Sequence, residues 1–122
     1  MATKQERIEA ILNALKTATV DIQGLSVVSP DGMMIVNMLG DGDGDTGAAM
    51  GAAVGSLGSR VAETLRLGGF EEQTIRGANS SILLFDIESS AYLMLKIAAN
   101  SNLGLVLLEA REAKGKLATI FS

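Results

Sequence analysis

Three carboxylates at alternate positions, Asp41, Asp43 and Asp45, lead into a run where glycine keeps returning: Gly47, Gly51, Gly55 and Gly58. No other stretch concentrates residue types that do chemistry. Carboxylates at every second position suit a hard cation bound through oxygen. Glycines with bare backbone amides suit a phosphate. The same glycines, spaced four, four and three apart, also make a seam along one side of a helix. The first two readings describe an ion or nucleotide site. The third describes a packing surface.

Asp41, Asp43 and Asp45 fill positions one, three and five of an EF-hand loop. Position six needs glycine and holds Thr46; position twelve needs a bidentate glutamate and holds Ala52. Without that glutamate the loop loses its strongest ligand. It reads better as a solvated acidic lead-in whose last carboxylate favours a helix N-terminus. The phosphate-loop pattern ending in Gly-Lys-Ser/Thr is absent. Gly115-Lys116 has Ala110 where the first glycine belongs, and it lies inside a helical segment. Gly42-Asp-Gly-Asp-Thr-Gly47 resembles the magnesium-nucleotide loop of the dihydroxyacetone-kinase nucleotide domain. That likeness implies an alternative function, a magnesium-nucleotide enzyme using residues 41–47. The kinase domain is all-helical and longer, whereas this chain is rich in strands.

Composition narrows the chemistry. The chain has 122 residues, enough for one domain over 1–122 with a single core. It has no Cys and no His, so thiolate and imidazole chemistry is absent and zinc and redox metals are close to excluded, which leaves an oxygen-ligand cation such as magnesium or calcium. We expect no catalytic residue, no cofactor and no metal. Net charge is −4, with no basic block and no Trp, which argues against nucleic acid. No apolar run approaches the roughly 20 residues of a membrane span. The start, Met1-Ala-Thr-Lys-Gln-Glu-Arg7, lacks the apolar core of a signal peptide. The expectation is a cytoplasmic protein that does not insert into membranes.

The elements follow from periodicity. Thr3 and Glu6 form a capping-box pattern, and Ile8, Ile11, Leu12 and Leu15 recur at helical spacing, predicting a helix over 4–18. Residues 22–28 and 33–38 are short apolar runs joined by Ser29-Pro-Asp-Gly32, a hairpin. Asp45 or Thr46 is expected to cap a second helix that runs to about Leu67 and ends at Gly68-Gly69. Phe70 to Arg76 reads as a polar strand, suited to a sheet edge. Residues 81–87 and 91–98 are apolar at nearly every position, so they are strands buried on both faces. Asn100 to Asn102 offers caps for a last helix with a stripe of Leu103, Val106, Leu107, Ala110, Ala113, Leu117 and Ile120. The order is α-β-β-α-β-β-β-α. Short connections make the strand pairs antiparallel, and the fold class is α/β (α+β), a five-stranded antiparallel sheet between helical layers.

The second helix must position the glycines. At about 100° per residue, Met50, Val54, Leu57, Val61 and Leu65 share one stripe, expected to cover the sheet. Gly47, Gly51, Gly55, Gly58 and Ala62 share the stripe beside it. Each interior glycine costs about 0.5–1 kcal/mol relative to alanine, so something must approach the backbone there. We expect a second copy of the same helix rather than the chain's own sheet. The edge strand, with Glu72, Thr74 and Arg76, should pair in the same interface.

Taken together, the hairpin from Ile22 to Ile35, the Ala/Gly-rich central helix, the polar third strand and Asn102-Leu-Gly-Leu-Val-Leu-Leu-Glu-Ala-Arg111 resemble the Roadblock family of dynein light chains, most closely its prokaryotic mutual-gliding-motility B members. The Asp/Gly run at 41–45 and the number of glycines depart from the usual pattern. The resemblance covers nearly the whole chain and implies a Roadblock/profilin-like fold. It implies a homodimer joined through the central helix and third strand. It also implies a scaffold or regulator of a Ras-like small GTPase, including GTPase activation without an inserted arginine. Arg60, Arg66 and Arg76 then read as surface charges rather than fingers. A structural interaction module in a complex without a GTPase is the remaining alternative.

Overall fold

The computed structural model describes residues 1–40 and 44–122. Asp41 and Asp43 of the acidic run therefore lie outside the described residues, and the calcium and magnesium-nucleotide readings rest partly on them. The order is α1 (Lys4–Ala18), β1 (Ile22–Val28), β2 (Met34–Met38), α2 (Gly44–Thr64), β3 (Glu72–Arg76), β4 (Ser80–Ile87), β5 (Ala91–Ala98) and α3 (Leu103–Phe121). It is the expected α-β-β-α-β-β-β-α order.

Local chemistry starts and stops these elements. Thr3 Oγ1 accepts the Glu6 amide at 3.1 Å, and the Thr3 amide donates to Glu6 Oε1 at 3.0 Å, so two orphan donors of α1 are satisfied reciprocally. The β1–β2 hairpin turns where the Gly32 amide donates to the Ser29 carbonyl and Gly32 sits at φ +91°. Asn102 Oδ1 accepts the Leu105 amide and caps α3. The sheet is antiparallel throughout, in the order β2-β1-β5-β4-β3. The polar strand β3 stands at an edge, with only β4 beside it.

Both faces of the sheet are covered, as the apolar strands β4 and β5 require. On one face α1 (Ile8, Leu12, Leu15) and α3 (Val106, Ala110, Ala113, Leu117) pack on Leu25, Val27, Leu83, Phe85, Leu93 and Leu95. On the other face lies α2 alone, over a smaller cluster of Val28, Leu84, Tyr92 and Met94.

Two details of α2 correct the expectation. Helix begins at Gly44, so Asp45 lies in the first turn rather than at the cap, where its carboxylate still suits the helix dipole. The C-terminus comes earlier than Gly68-Gly69. The Leu67 amide reaches back to the Ala62 carbonyl and the Arg66 amide to the Glu63 carbonyl, a Schellman closure with Arg66 in the left-handed position at φ +57°. Sequence patterns place glycine at that position, and here arginine occupies it. A non-glycine residue there carries about 1–2 kcal/mol of strain. Arg66→Gly should therefore raise the free energy of unfolding by up to about 1 kcal/mol. Urea denaturation at fixed protein concentration checks this.

Candidate interaction surface on α2 and β3

The glycines of α2 lie against the chain's own sheet. Helix α2 lies over the strands, and its glycines mark the points of close approach. A Cβ on Gly47 would meet Leu39, and one on Gly51 would meet Met94 Sδ at 3.2 Å and Val28. A Cβ on Gly55 would run into the Tyr92 ring. One on Gly58 would come within 2.7 Å of Phe70 and Gln73. Ala48, Ala52 and Ala62 are buried beside them. Small residues let the backbone settle onto Tyr92, whose ring is nearly fully covered. Burial pushes the Tyr92 phenol above its usual range, and Asp86 adds to this while the Ser59 hydroxyl opposes it.

This exchanges the two expected stripes. The glycine stripe faces the sheet, and of the large apolar side chains only Val54 is half-buried against the cluster beneath. Met50 is 65% exposed, Leu57 57% and Leu65 64%, with Val61 also exposed. Apolar periodicity alone assigns the bulky residues to the core, but a helix laid across a tyrosine must present its smallest face. The signal was the tyrosine itself, the only one in the chain, standing in a largely apolar strand.

The exposed stripe lies on the flank of α2 that overlooks β3. Two hollows lie along that flank. One, of about 300 Å³, is lined by Met50, Val54, Ile75, Ile82, Leu84 and Met94, together with Lys96. The other, of about 400 Å³, is lined by Leu57, Val61, Ala62, Leu67 and Phe70. Gly47, Gly51, Gly58 and Ala62 contribute to these walls as well, while Gly55 is committed to Tyr92. Ile75 of β3 is 45% exposed on this side and was not among the expected residues. One helix covers too little of a five-stranded face, and an apolar trench is left beside the free edge. Contiguous exposed apolar surface of this kind marks interaction sites in soluble proteins.

Glu72, Thr74 and Arg76 are exposed on the edge strand, on the face opposite α2. Glu72 is held from α3: Arg111 Nη2 donates to Glu72 Oε1 at 2.6 Å and Nε to Oε2 at 3.1 Å. That bidentate bond holds the Glu72 carboxyl below the usual carboxylate range against a smaller opposing effect of burial. It ties the edge strand to the helix layer. Among the described residues, no group of three or more His, Cys, Asp or Glu is placed to hold a metal ion. No helix among them is long and apolar enough to cross a membrane.

The two interactions make separate predictions. Gly55→Ala should destabilise by about 1–3 kcal/mol through overpacking. Gly115→Ala, in α3 with nothing within 4 Å of its added methyl, should stabilise by about 0.5–1 kcal/mol. Tyr92→Leu removes the ring atoms that clash, so in that background the Gly55→Ala penalty should shrink; an undiminished penalty would refute the contact. For Arg111→Gln, the sign follows from the depressed Glu72 pKa. Folded Glu72 holds its proton less tightly than the unfolded carboxyl, so the pair stabilises above the unfolded value of 4.5 and its contribution vanishes as pH falls through the lowered folded value. The variant should lose the small contribution of a partly exposed pair at pH 7 and match the parent in strong acid. Thermal melts across pH would show this.

Comparison with known proteins places this arrangement. A family model, the Roadblock/LC7 domain, matches residues 8–96. A search of the curated proteins found no match. Among solved structures, Myxococcus xanthus MglB is similar, with a TM-score of 0.88 at 21% identity over 99% of this chain and 92% of that one. The gliding protein MglB of Thermus thermophilus gives 0.86 at 21% identity over 99% and 93%. A further structure, described as MglB with a tetrameric arrangement, gives 0.87 at 21% identity over 99% and 92%. At such identities these neighbours speak for the fold, and with the family model they show that the chain belongs to the Roadblock/LC7 family.

Proposed function

We propose that two copies of this chain associate through the α2 flank and the β3 edge, and that the dimer is a cytoplasmic scaffold or regulator of a Ras-like small GTPase. The observation that carries the reading is the apolar trench: Met50, Leu57, Val61 and Leu65 lie exposed along α2, and Ile75 of the edge strand shares a hollow with Met50. Its own helix leaves it open, and a twofold copy supplies a matching apolar stripe to fill it. The expected helix seam thereby moves from the glycines to the bulky residues next to them.

The GTPase partner is inferred from the likeness to mutual-gliding-motility B proteins. The proposed action is GTPase activation by repositioning the partner's own residues. Arg60, Arg66 and Arg76 are exposed side chains and read as surface charges, so none is assigned as a finger. Function then resides in shape and dimeric presentation rather than in a reacting group.

Light scattering tests the dimer. The parent should have the mass of two chains, and Leu57→Asp with Val61→Asp should reduce it to one, since a buried unpaired carboxylate at each site opposes association. GTP hydrolysis by the Ras-like GTPase encoded nearest to this chain tests the regulator. Acceleration by the parent and its loss in the aspartate variant are the expected results. Binding without acceleration would reduce the role to scaffolding, and no binding would remove the GTPase from the proposal.

A further inference from the structure

The bonds at the two ends of β3 reveal which of its backbone groups are free. The Asp86 amide donates to the Glu71 carbonyl, and the Gly77 amide donates to the Ser80 carbonyl. Between them Gln73 lies opposite Leu84 and Ile75 opposite Ile82. In an antiparallel ladder such pairs alternate, so odd-numbered residues of β3 turn their N–H and C=O toward β4. Glu72, Thr74 and Arg76 turn theirs outward. These three carry the free donors and acceptors of the edge, and an added strand must pair with them.

Their side chains share one face of the strand. Glu72 takes its bond from Arg111 there, and Thr74 and Arg76 border a hollow with Ile97, Ala98 and Leu103. Read along the edge, the charges run negative, neutral, positive. An antiparallel copy reads positive, neutral, negative. The edge is its own electrostatic complement about a twofold axis.

Resting on the reading that two copies meet along β3, we propose that they do so in a single register, with Thr74 beside the partner's Thr74 on the axis and Glu72 opposite the partner's Arg76. This register pairs all three outward residues. Shifting the axis to Glu72 or to Arg76 sets like charges face to face, and intermediate shifts leave one charged residue unmatched. Directly opposed side chains sit about 5 Å apart at Cβ, close enough for a carboxylate and a guanidinium to bond. Glu72 keeps acceptor capacity beyond its bond to Arg111. The partner's Arg76 completes a row of alternating charge, Arg111, Glu72, Arg76, on each side of the axis. Glu72 and Arg76 thus determine which Roadblock chain this one accepts, and the preferred partner is itself.

A charge swap tests the register. Glu72→Arg alone and Arg76→Glu alone should each weaken self-association about tenfold, because two attractive cross-strand pairs become repulsive. Mixed one to one, they should recover a dimer containing one of each, and the double variant should recover self-association. All of these effects should fade in high salt. The chain has no cysteine, so single-cysteine variants supply an independent reading that leaves the Glu72–Arg111 bond intact. Thr74→Cys should cross-link between copies on oxidation much faster than Arg76→Cys, whose sulfurs would sit about four residues apart along the strands, roughly 14 Å. A parent that is monomeric would remove the dimer reading itself. A dimeric parent whose association ignores the swaps, or whose Arg76→Cys cross-links as fast as Thr74→Cys, would overturn the register and leave the dimer standing.

Discussion

The seat of α2 on Tyr92 is the contact on which the outer surface depends. A ring that stands up from the sheet fixes both the height and the rotation of the helix lying over it. Only a glycine fits at that point, and Gly55 is there. Once it is seated, the positions three, four and seven residues either way must also be small, and Ala48, Gly51, Ala52, Gly58, Ser59 and Ala62 follow. The helix then has no freedom to turn its large residues inward. Met50, Leu57, Val61 and Leu65 end on the flank because the floor is occupied. Exposure of that stripe is thus a geometric consequence of a close contact beneath it.

The two faces of the sheet solve different problems. Beneath α1 and α3 lies a continuous aliphatic core that includes Phe85, covered by two helices whose ends are also joined by Lys4 over the Phe121 ring at 4.6 Å. That layer is closed. The α2 side has one helix for the same width of sheet, so part of the strand surface toward Ile75 and Ile82 stays bare. A chain of this size could have covered both faces with longer helices. Leaving one face thin keeps an apolar hollow open beside the sheet edge.

Most of the architecture was legible from the sequence because it rests on short-range rules. The bounds of α1, β1 and β5 coincide with expectation, since a capping box, β-branched runs and a two-sided apolar strand are local signals. The edge position of β3 followed from its polarity. What was not legible was rotation. Periodicity groups Met50 with Leu57 and Gly51 with Gly55 correctly, but it does not say which group looks down; that depends on Tyr92, remote in sequence and directly below in space. The helix end was missed for a similar reason. Gly68 also lies at positive φ, and the pattern rule chose it, whereas the hydrogen bonds close sooner, around Arg66. The acidic residues Asp41 and Asp43 lie outside the described residues, so their chemistry stays with the sequence argument.

The glycine content of α2 has a consequence for folding. Gly44, Gly47, Gly51, Gly55 and Gly58 all lie in this helix, each lowering intrinsic helicity by about 1 kcal/mol against alanine. Such a segment has almost no tendency to coil on its own and is helical only while docked. With so little intrinsic helicity, it is expected to open before the sheet beneath it. Anything that occupies its flank therefore holds the helix closed and is coupled to its order by mass action. Amide exchange along α2 would then report occupancy of the surface at a distance from any contact.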